Sequence, residues 1–281
     1  MRNFVQMTAI AALAAALASA SPAVAGPFDP QAGLPGSLAI SRDDSRIVGW
    51  GASVAELVRG PQDLADPGGP LASFGSAADA IGAADGRIVS LGDGGSITLG
   101  FDAPIVDGAG ADFAVFENGF GLGGGLAFLE LAFVEVSSNG VDFFRFDAAS
   151  LTQTSTQVGG FGALDATELH NLAGKHVGGF GTPFDLAELA GRSPLLDVDA
   201  VRYVRLVDVV GSIDPGIGSL DSLGNLVNDP YPTPFASGGF DLDAVGVLHA
   251  IPEPSSLAMA AAGLSAAGVA VARRRRSPRA G

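Results

Sequence analysis

The residues of this 281-residue chain best placed to do chemistry are carboxylates that interrupt apolar runs. Glu117 closes the run Phe113–Phe116 and stands beside Asn118. Glu130 and Glu135 break the run from Phe128 to Val136. Asp208 interrupts a valine-rich stretch, and Asp241 and Asp243 alternate with Phe240, Leu242 and Ala244. Burying a carboxylate without a partner costs several kcal/mol. An oxygen-liganded cation is the simplest such partner, and Ca²⁺ accepts carboxylates and carbonyls from irregular loops. Glu117, Asp208, Asp241 and Asp243 are the candidate ligands, with Asp241 and Asp243 expected on one side of a strand because they lie two apart. The alternative leaves these acids on a solvated sheet face, paired with Arg202 or Arg205.

Catalytic chemistry finds less support. Cysteine is absent, which excludes thiol catalysis and thiolate metal sites. Of the three histidines, none sits in a metalloprotease helix motif, and no serine sits in a nucleophile elbow. His170 and His176 fall in loops and are expected to be exposed. His176 follows Lys175, the only lysine, and would be a poor general base. Gly119 to Gly124 matches G-x-G-x-x-G, but dinucleotide binding needs a helix after that loop, and another strand follows here. No catalytic residue is assigned, and the protein is expected not to be an enzyme. Glycans stack on exposed aromatic rings. Trp50, Tyr203 and Tyr231 are the only Trp and Tyr residues, so Trp50 and Tyr231 are the stacking candidates. Paired carboxylates leave a polysaccharide hydrolase as a third reading.

The elements that must position these groups are nearly all strands. Arg46–Trp50 is a candidate first strand. The Gly- and Pro-rich stretch from Arg59 to Ala84 predicts a loop with a helical turn near Ala77–Ile81. Arg87–Leu91, the turn Gly92–Gly95 and the alternating segment Ser96–Phe101 predict a hairpin with Ile97, Leu99 and Phe101 on one face. Asp112–Glu117 is the next strand. Phe128–Val136 and Val141–Asp147 flank Asn139-Gly140, a dipeptide that favours tight hairpin turns. Pro183–Ala190 predicts a short helix capped by Thr182. Asp199–Val210 and Phe240–His249 are the last two strands. About eight strands with almost no helix predict an all-β ectodomain, a β-sandwich or jelly roll with its phenylalanines between the sheets.

The two ends differ from this body. Residues 1–25 carry Arg2, an apolar core from Ala9 to Ala18 and the small-residue site Ala23-Val24-Ala25, the pattern of a secretory signal peptide. The ectodomain then spans residues 26–250. Leaving out Arg2 and the five arginines beyond residue 272 leaves nine basic residues; leaving out Glu253 leaves 29 acidic ones, a formal net charge of −20. Such a surface repels nucleic acid and anionic lipid and attracts divalent cations. Residues 251–281 open on Pro252-Glu253-Pro254, whose prolines impose an extended backbone. An uncharged run, 255–272, follows, about 27 Å long as a helix and so about one hydrocarbon core. Arg273, Arg274, Arg275 and Arg276 begin a basic tail, 273–281, that should stay on the cytoplasmic side.

This order resembles the PEP-CTERM sorting signal of Gram-negative surface proteins. The resemblance implies an inner-membrane-anchored precursor, recognition by an exosortase-type membrane enzyme, and delivery to the cell surface or extracellular matrix, with envelope, biofilm or exopolysaccharide as the setting. A plain C-terminal anchor is the alternative. The segment Gly239–Val245 also resembles the closing strand of carbohydrate-binding jelly rolls, in which an Asp at that position helps to hold a structural Ca²⁺. That resemblance implies a carbohydrate-binding module as the alternative to a non-enzymatic structural or adhesive surface protein.

Overall fold

The structure, a computed structural model, describes residues 26–66 and 68–251. Two six-stranded sheets make up most of it. In the first, β1 (Ile40–Ser41), β15 (Phe180–Phe184), β6 (Phe113–Glu117), β17 (Asp241–Val247) and β2 (Gly49–Trp50) lie in that order, and β4 (Val89–Ser90) also pairs with β17. In the second the order is β10 (Phe144–Arg145), β9 (Ala132–Ser137), β16 (Val201–Asp208), β5 (Ser96–Ile105) and β3 (Ser53–Val58), with β14 (Leu172–Ala173) added beside β9. The described pairings are antiparallel. Two smaller sheets hold β11 (Ala149–Ser150) with β13 (Leu169–His170), and β12 (Leu164–Asp165) with β8 (Leu126–Phe128) and β7 (Phe120–Gly123).

The inner faces of the two large sheets share one apolar core. Phe113, Val115, Leu242 and Val245 come from the first sheet; Ile97, Leu99, Val134, Val136, Val204 and Leu206 come from the second. Phe113, Phe146 and Phe184 fill its centre with ring centroids 5.1–6.0 Å apart. This packing is all-β and consistent with a β-sandwich. Ile97 and Leu99 are buried in it, with Phe101 packed against it from the same strand face. A second cluster, including Leu129, Leu131, Leu164, Leu169 and Val227, is covered by the small sheets, and a third surrounds Phe116 and Ala244 on the outer face of the first sheet. Helix among the described residues is confined to three short 3₁₀ turns, at Ala77–Ala80, Ala166–Glu168 and Leu186–Leu189. Among the described residues no helix is long and apolar enough to cross a membrane.

Four local expectations change. Val89–Ser90 and Ser96–Ile105 do not form a hairpin: β4 joins β17 in one sheet and β5 joins β3 and β16 in the other, so the Gly92–Gly95 turn is a crossing between sheets. The run Phe128–Val136 is two strands broken at Glu130, because the Leu131 N–H is drawn to Asp229 Oδ2 at 3.1 Å. The predicted hairpin return is limited to Phe144 and Arg145, opposite Val136 and Glu135. Thr182 and Pro183 belong to β15, and Asp185 caps the turn after it by accepting the Ala187 N–H at 2.9 Å.

Candidate functional site: a phenylalanine-rimmed acidic cleft

The strands of both sheets end in carboxylates at one region of the molecule. Glu117 is the last residue of β6, Asp208 the last of β16 and Asp241 the first of β17. All three are buried, as are Glu130, in the break between β8 and β9, and Asp229, in the long loop before β17. Their burial drives each pKa upward. Asp241 is pushed up to about 6, against the hydrogen bonds of Ser90 and Asn118 and the charge of Arg59. Glu117, Asp208 and Asp229 rise well above the ordinary carboxylate range because burial outweighs the donors that face them, and Glu130 rises likewise from burial with no donor against it; each also feels other acids nearby.

Most of these carboxylates are held by protein donors. Asp208 accepts from the Gly94 N–H at 2.8 Å and the Phe240 N–H at 2.6 Å, so it locks the sheet crossing to the start of β17. Asp241 accepts from the Ser90 hydroxyl and, at 3.3 Å, from Asn118 Nδ2. Glu117 accepts the Gly119 N–H at 2.7 Å through Oε2, while Oε1 is buried and without a partner. Gly119 permits this closure: a Cβ there would stand 2.8 Å from Glu117 Oε2 and 2.7 Å from the Phe128 carbonyl oxygen. The G-x-G-x-x-G match therefore opens on a tight strand connection at Gly119, and β7 (Phe120–Gly123) lies within it. Asp243 sits where the β17–β6 register slips, and its two oxygens accept the N–H groups of Asp85 and Gly86, both at 3.1 Å.

Glu130 differs from the others. It is 6% exposed, and among the described residues no donor faces its carboxylate. It lines a cleft of about 150 Å³ together with Asp241, Asn118, Thr233 and Ser237. The rim is aromatic. Phe120, Phe128, Phe161 and Phe235 form a continuous row, with successive ring centroids 5.1, 6.1 and 5.7 Å apart. Phe128 is buried, whereas Phe120, Phe161 and Phe235 are exposed.

The predicted ligand set is only partly gathered. Glu117, Asp208, Asp241 and Asp243 all lie near this region, yet apart from Glu117 Oε1 their oxygens are held by different donors. The one group of three acids among the described residues whose ligand oxygens lie within 4.8 Å of one another is Asp107, Asp112 and Asp185. There Asp112 is already saturated by the N–H groups of Gly108 and Leu186, each at 2.7 Å, and by His249 Nδ1 at 2.8 Å. Glu135 does find arginines: Arg145 at 2.8 Å and Arg205 at 3.2 Å.

The expected stacking residues are corrected by burial. Tyr231 is 7% exposed and donates its hydroxyl to Asp63 at 2.8 Å, so its ring offers no free face to a sugar. Trp50 is half-buried against Phe116, with centroids 5.5 Å apart. Exposed aromatics do line the cleft, as Phe120, Phe161 and Phe235, while Phe74 is exposed elsewhere; a sequence signal marks two of them, because Phe120 and Phe161 each stand between two glycines. His176 also departs from expectation. It is buried beside Lys175, and Nε2 lies 3.1 Å from Asp29 Oδ2. His170 stacks on Phe28.

Residues 250–276 match the model of the PEP-CTERM protein-sorting motif. The chain carries a PEP-CTERM sorting motif. The match takes in Pro252-Glu253-Pro254 and Arg273–Arg276, which, like the expected signal peptide at 1–25 and the expected span at 255–272, lie outside the described residues. The PEP-CTERM motif implies processing by an exosortase, a membrane enzyme, and hence an exported protein with a membrane-anchored precursor stage. No curated protein matches the chain.

Proposed function

We propose that this is a non-enzymatic surface or matrix protein of a Gram-negative envelope, delivered by its PEP-CTERM tail, whose ectodomain binds a ligand within the biofilm or exopolysaccharide. The observation that carries the reading is the sorting motif, which begins at Ala250, three residues after β17 ends. The state of the histidines supports binding over catalysis. His176 is buried against Asp29 and Lys175, His249 is held by Asp112, and His170 is stacked on Phe28, so none is poised on a hydroxyl nucleophile. The test replaces Pro252, Glu253 and Pro254 by alanine and follows the protein by cell fractionation. The variant should stay in the inner membrane at precursor size; a shortened variant at the surface would leave the tail as a plain anchor.

The exposed phenylalanine row favours a second reading, a carbohydrate-binding jelly-roll module with a structural Ca²⁺. Glycan-array binding lost on Phe161→Ala, together with a melting temperature raised by Ca²⁺ but not by Mg²⁺ at equal ionic strength, would establish it. Release of reducing sugar from host exopolysaccharide would instead establish the hydrolase.

A further inference from the structure

We propose that the phenylalanine-rimmed cleft binds a primary ammonium group, with Glu130 as its counter-ion and the rings of Phe120, Phe161 and Phe235 around the carbon body that carries it. The inference deepens the reading of the ectodomain as a binding module and rests on it.

The argument starts from Glu130. Its side chain is more than nine-tenths buried and lines the cleft, and among the described residues no donor faces its carboxylate, whose oxygens stay open to the cleft. Ionised, it is a buried charge without a counter-ion. Protonated, it is a buried hydroxyl without an acceptor. Both states are unfavourable, and a ligand that donates N–H bonds and brings positive charge relieves the first. The remaining acids strengthen the local field without competing for the site. Asp241 spends its oxygens on Ser90 and Asn118, Asp208 on Gly94 and Phe240, and Glu117 spends Oε2 on Gly119. The nearest basic group to Asp241, Arg59, points its guanidinium at the carbonyls of Phe74, Gly75 and Ser90.

The rim selects the kind of cation. Ca²⁺ takes six to eight oxygen ligands, and the convergent set of three acids among the described residues lies elsewhere, at Asp107, Asp112 and Asp185. Phenyl rings supply no oxygen, but their faces attract an ammonium and cover the CH groups beside it. Asn118, Thr233 and Ser237 on the same wall can meet hydroxyls of the ligand. A volume of about 150 Å³ suits an ammonium with a few carbons or one edge of a sugar ring.

The experiment is calorimetry on the full-length chain in detergent at roughly physiological salt, with n-butylammonium and glucosamine as probes and n-butanol and N-acetylglucosamine as their neutral counterparts. Either amine should bind and its neutral counterpart should not. Tighter binding of glucosamine assigns a sugar-borne amine, and tighter binding of n-butylammonium an aliphatic one. Glu130→Gln should weaken the amine about tenfold or more. Phe161→Ala, at an exposed position whose loss leaves the core intact, should weaken it about threefold to tenfold and keeps the test valid if Glu130→Gln fails to fold. Equal binding of the neutral probes, no binding of either amine, or amine binding unchanged in folded Glu130→Gln or in Phe161→Ala overturns the proposal. So does Glu130-dependent binding of Ca²⁺ in place of the amine. None of these outcomes bears on sorting, which the fractionation of the Pro252–Pro254 variant reads separately.

Discussion

Asp29 forms an ion pair with Lys175, 146 positions later in the chain. The pair ties the N-terminal segment ahead of β1 to the loop between β14 and β15, and both Lys175 and the adjacent His176 are almost fully buried there. Burial holds Lys175 and His176 below their ordinary pKa values although Asp29 pulls both upward. Burial would raise Asp29 itself, but His176 and Lys175 together prevail and hold it well below the usual carboxylate range. Near neutral pH the arrangement is therefore a Lys⁺–Asp⁻ pair beside a neutral imidazole.

Removing the acid should strand the lysine. Asp29→Ala is expected to cost about 3–5 kcal/mol in denaturant unfolding, because it leaves an uncompensated buried charge. Asp29→Ala combined with Lys175→Met should recover a large part of that loss. A single variant within about 0.5 kcal/mol of the parent would mean that Lys175 reaches water without Asp29.

The acidic region sets the sign of the pH response. Asp93 and Asp241 are each pushed up to about 6 by burial, so the folded state holds more protons than the unfolded state once pH exceeds about 4. Their contribution is fully present below the ordinary Asp value and is lost as pH rises through about 6. Glu117, Glu130, Asp208 and Asp229 act in the same direction to higher pH. Asp29 and His176, whose pKa values are lowered, work the other way: Asp29's loss begins only below the ordinary Asp value, and His176 offsets part of the fall only below about pH 6.5. Melting temperature should therefore fall from about pH 4.5 to pH 8, with the Asp241 share of order 3 kcal/mol. Asp241→Asn should flatten the slope; a parent protein that grows more stable over this range would contradict the assignment.

Gly174 offers a steric prediction. It holds φ +84°, and a Cβ there would lie 2.0 Å from the Glu130 carbonyl oxygen and 3.2 Å from the Phe240 ring. Gly174→Ala should cost about 2–5 kcal/mol, from the left-handed backbone and the overpacking together. Gly191 has a similar φ, +72°, with nothing within 4 Å of its would-be Cβ. Gly191→Ala should cost only the backbone part, about 1–2 kcal/mol. Equal costs in denaturant titrations would show that β14 can move away from Glu130.

Period-two alternation makes Ile97, Leu99 and Phe101 legible as one strand face, and Asp112–Glu117 and Asp199–Val210 as strands. It does not name a strand's partner, because β5 shows the same pattern whether it pairs with β4 or with β3 and β16. The Gly92–Gly95 turn looks like a hairpin locally; the decisive bond, Gly94 N–H to Asp208, spans 114 positions. The carboxylates are legible as anomalies in apolar runs, but their partners are not. Asp243 is held by backbone groups near residue 85, and Asp241 by a serine on another strand. Weighting Trp and Tyr as sugar platforms directs attention to Tyr231, which is buried, and away from Phe120, Phe161 and Phe235, which are exposed at the cleft.

The last described residues leave the fold with no slack. Ala250 bridges to Ile105, and the Ile251 N–H donates to the Pro104 carbonyl at 3.3 Å. Pro252 is the next residue, and one extended residue spans only about 3.5 Å. A membrane enzyme acting at Pro252–Pro254 thus meets its substrate against the wall of a folded body, with no leash to draw on. It must either seat that end of the sandwich at its own mouth or peel Ala250 and Ile251 from β5 first, which couples sorting to how firmly this corner of the domain is stitched.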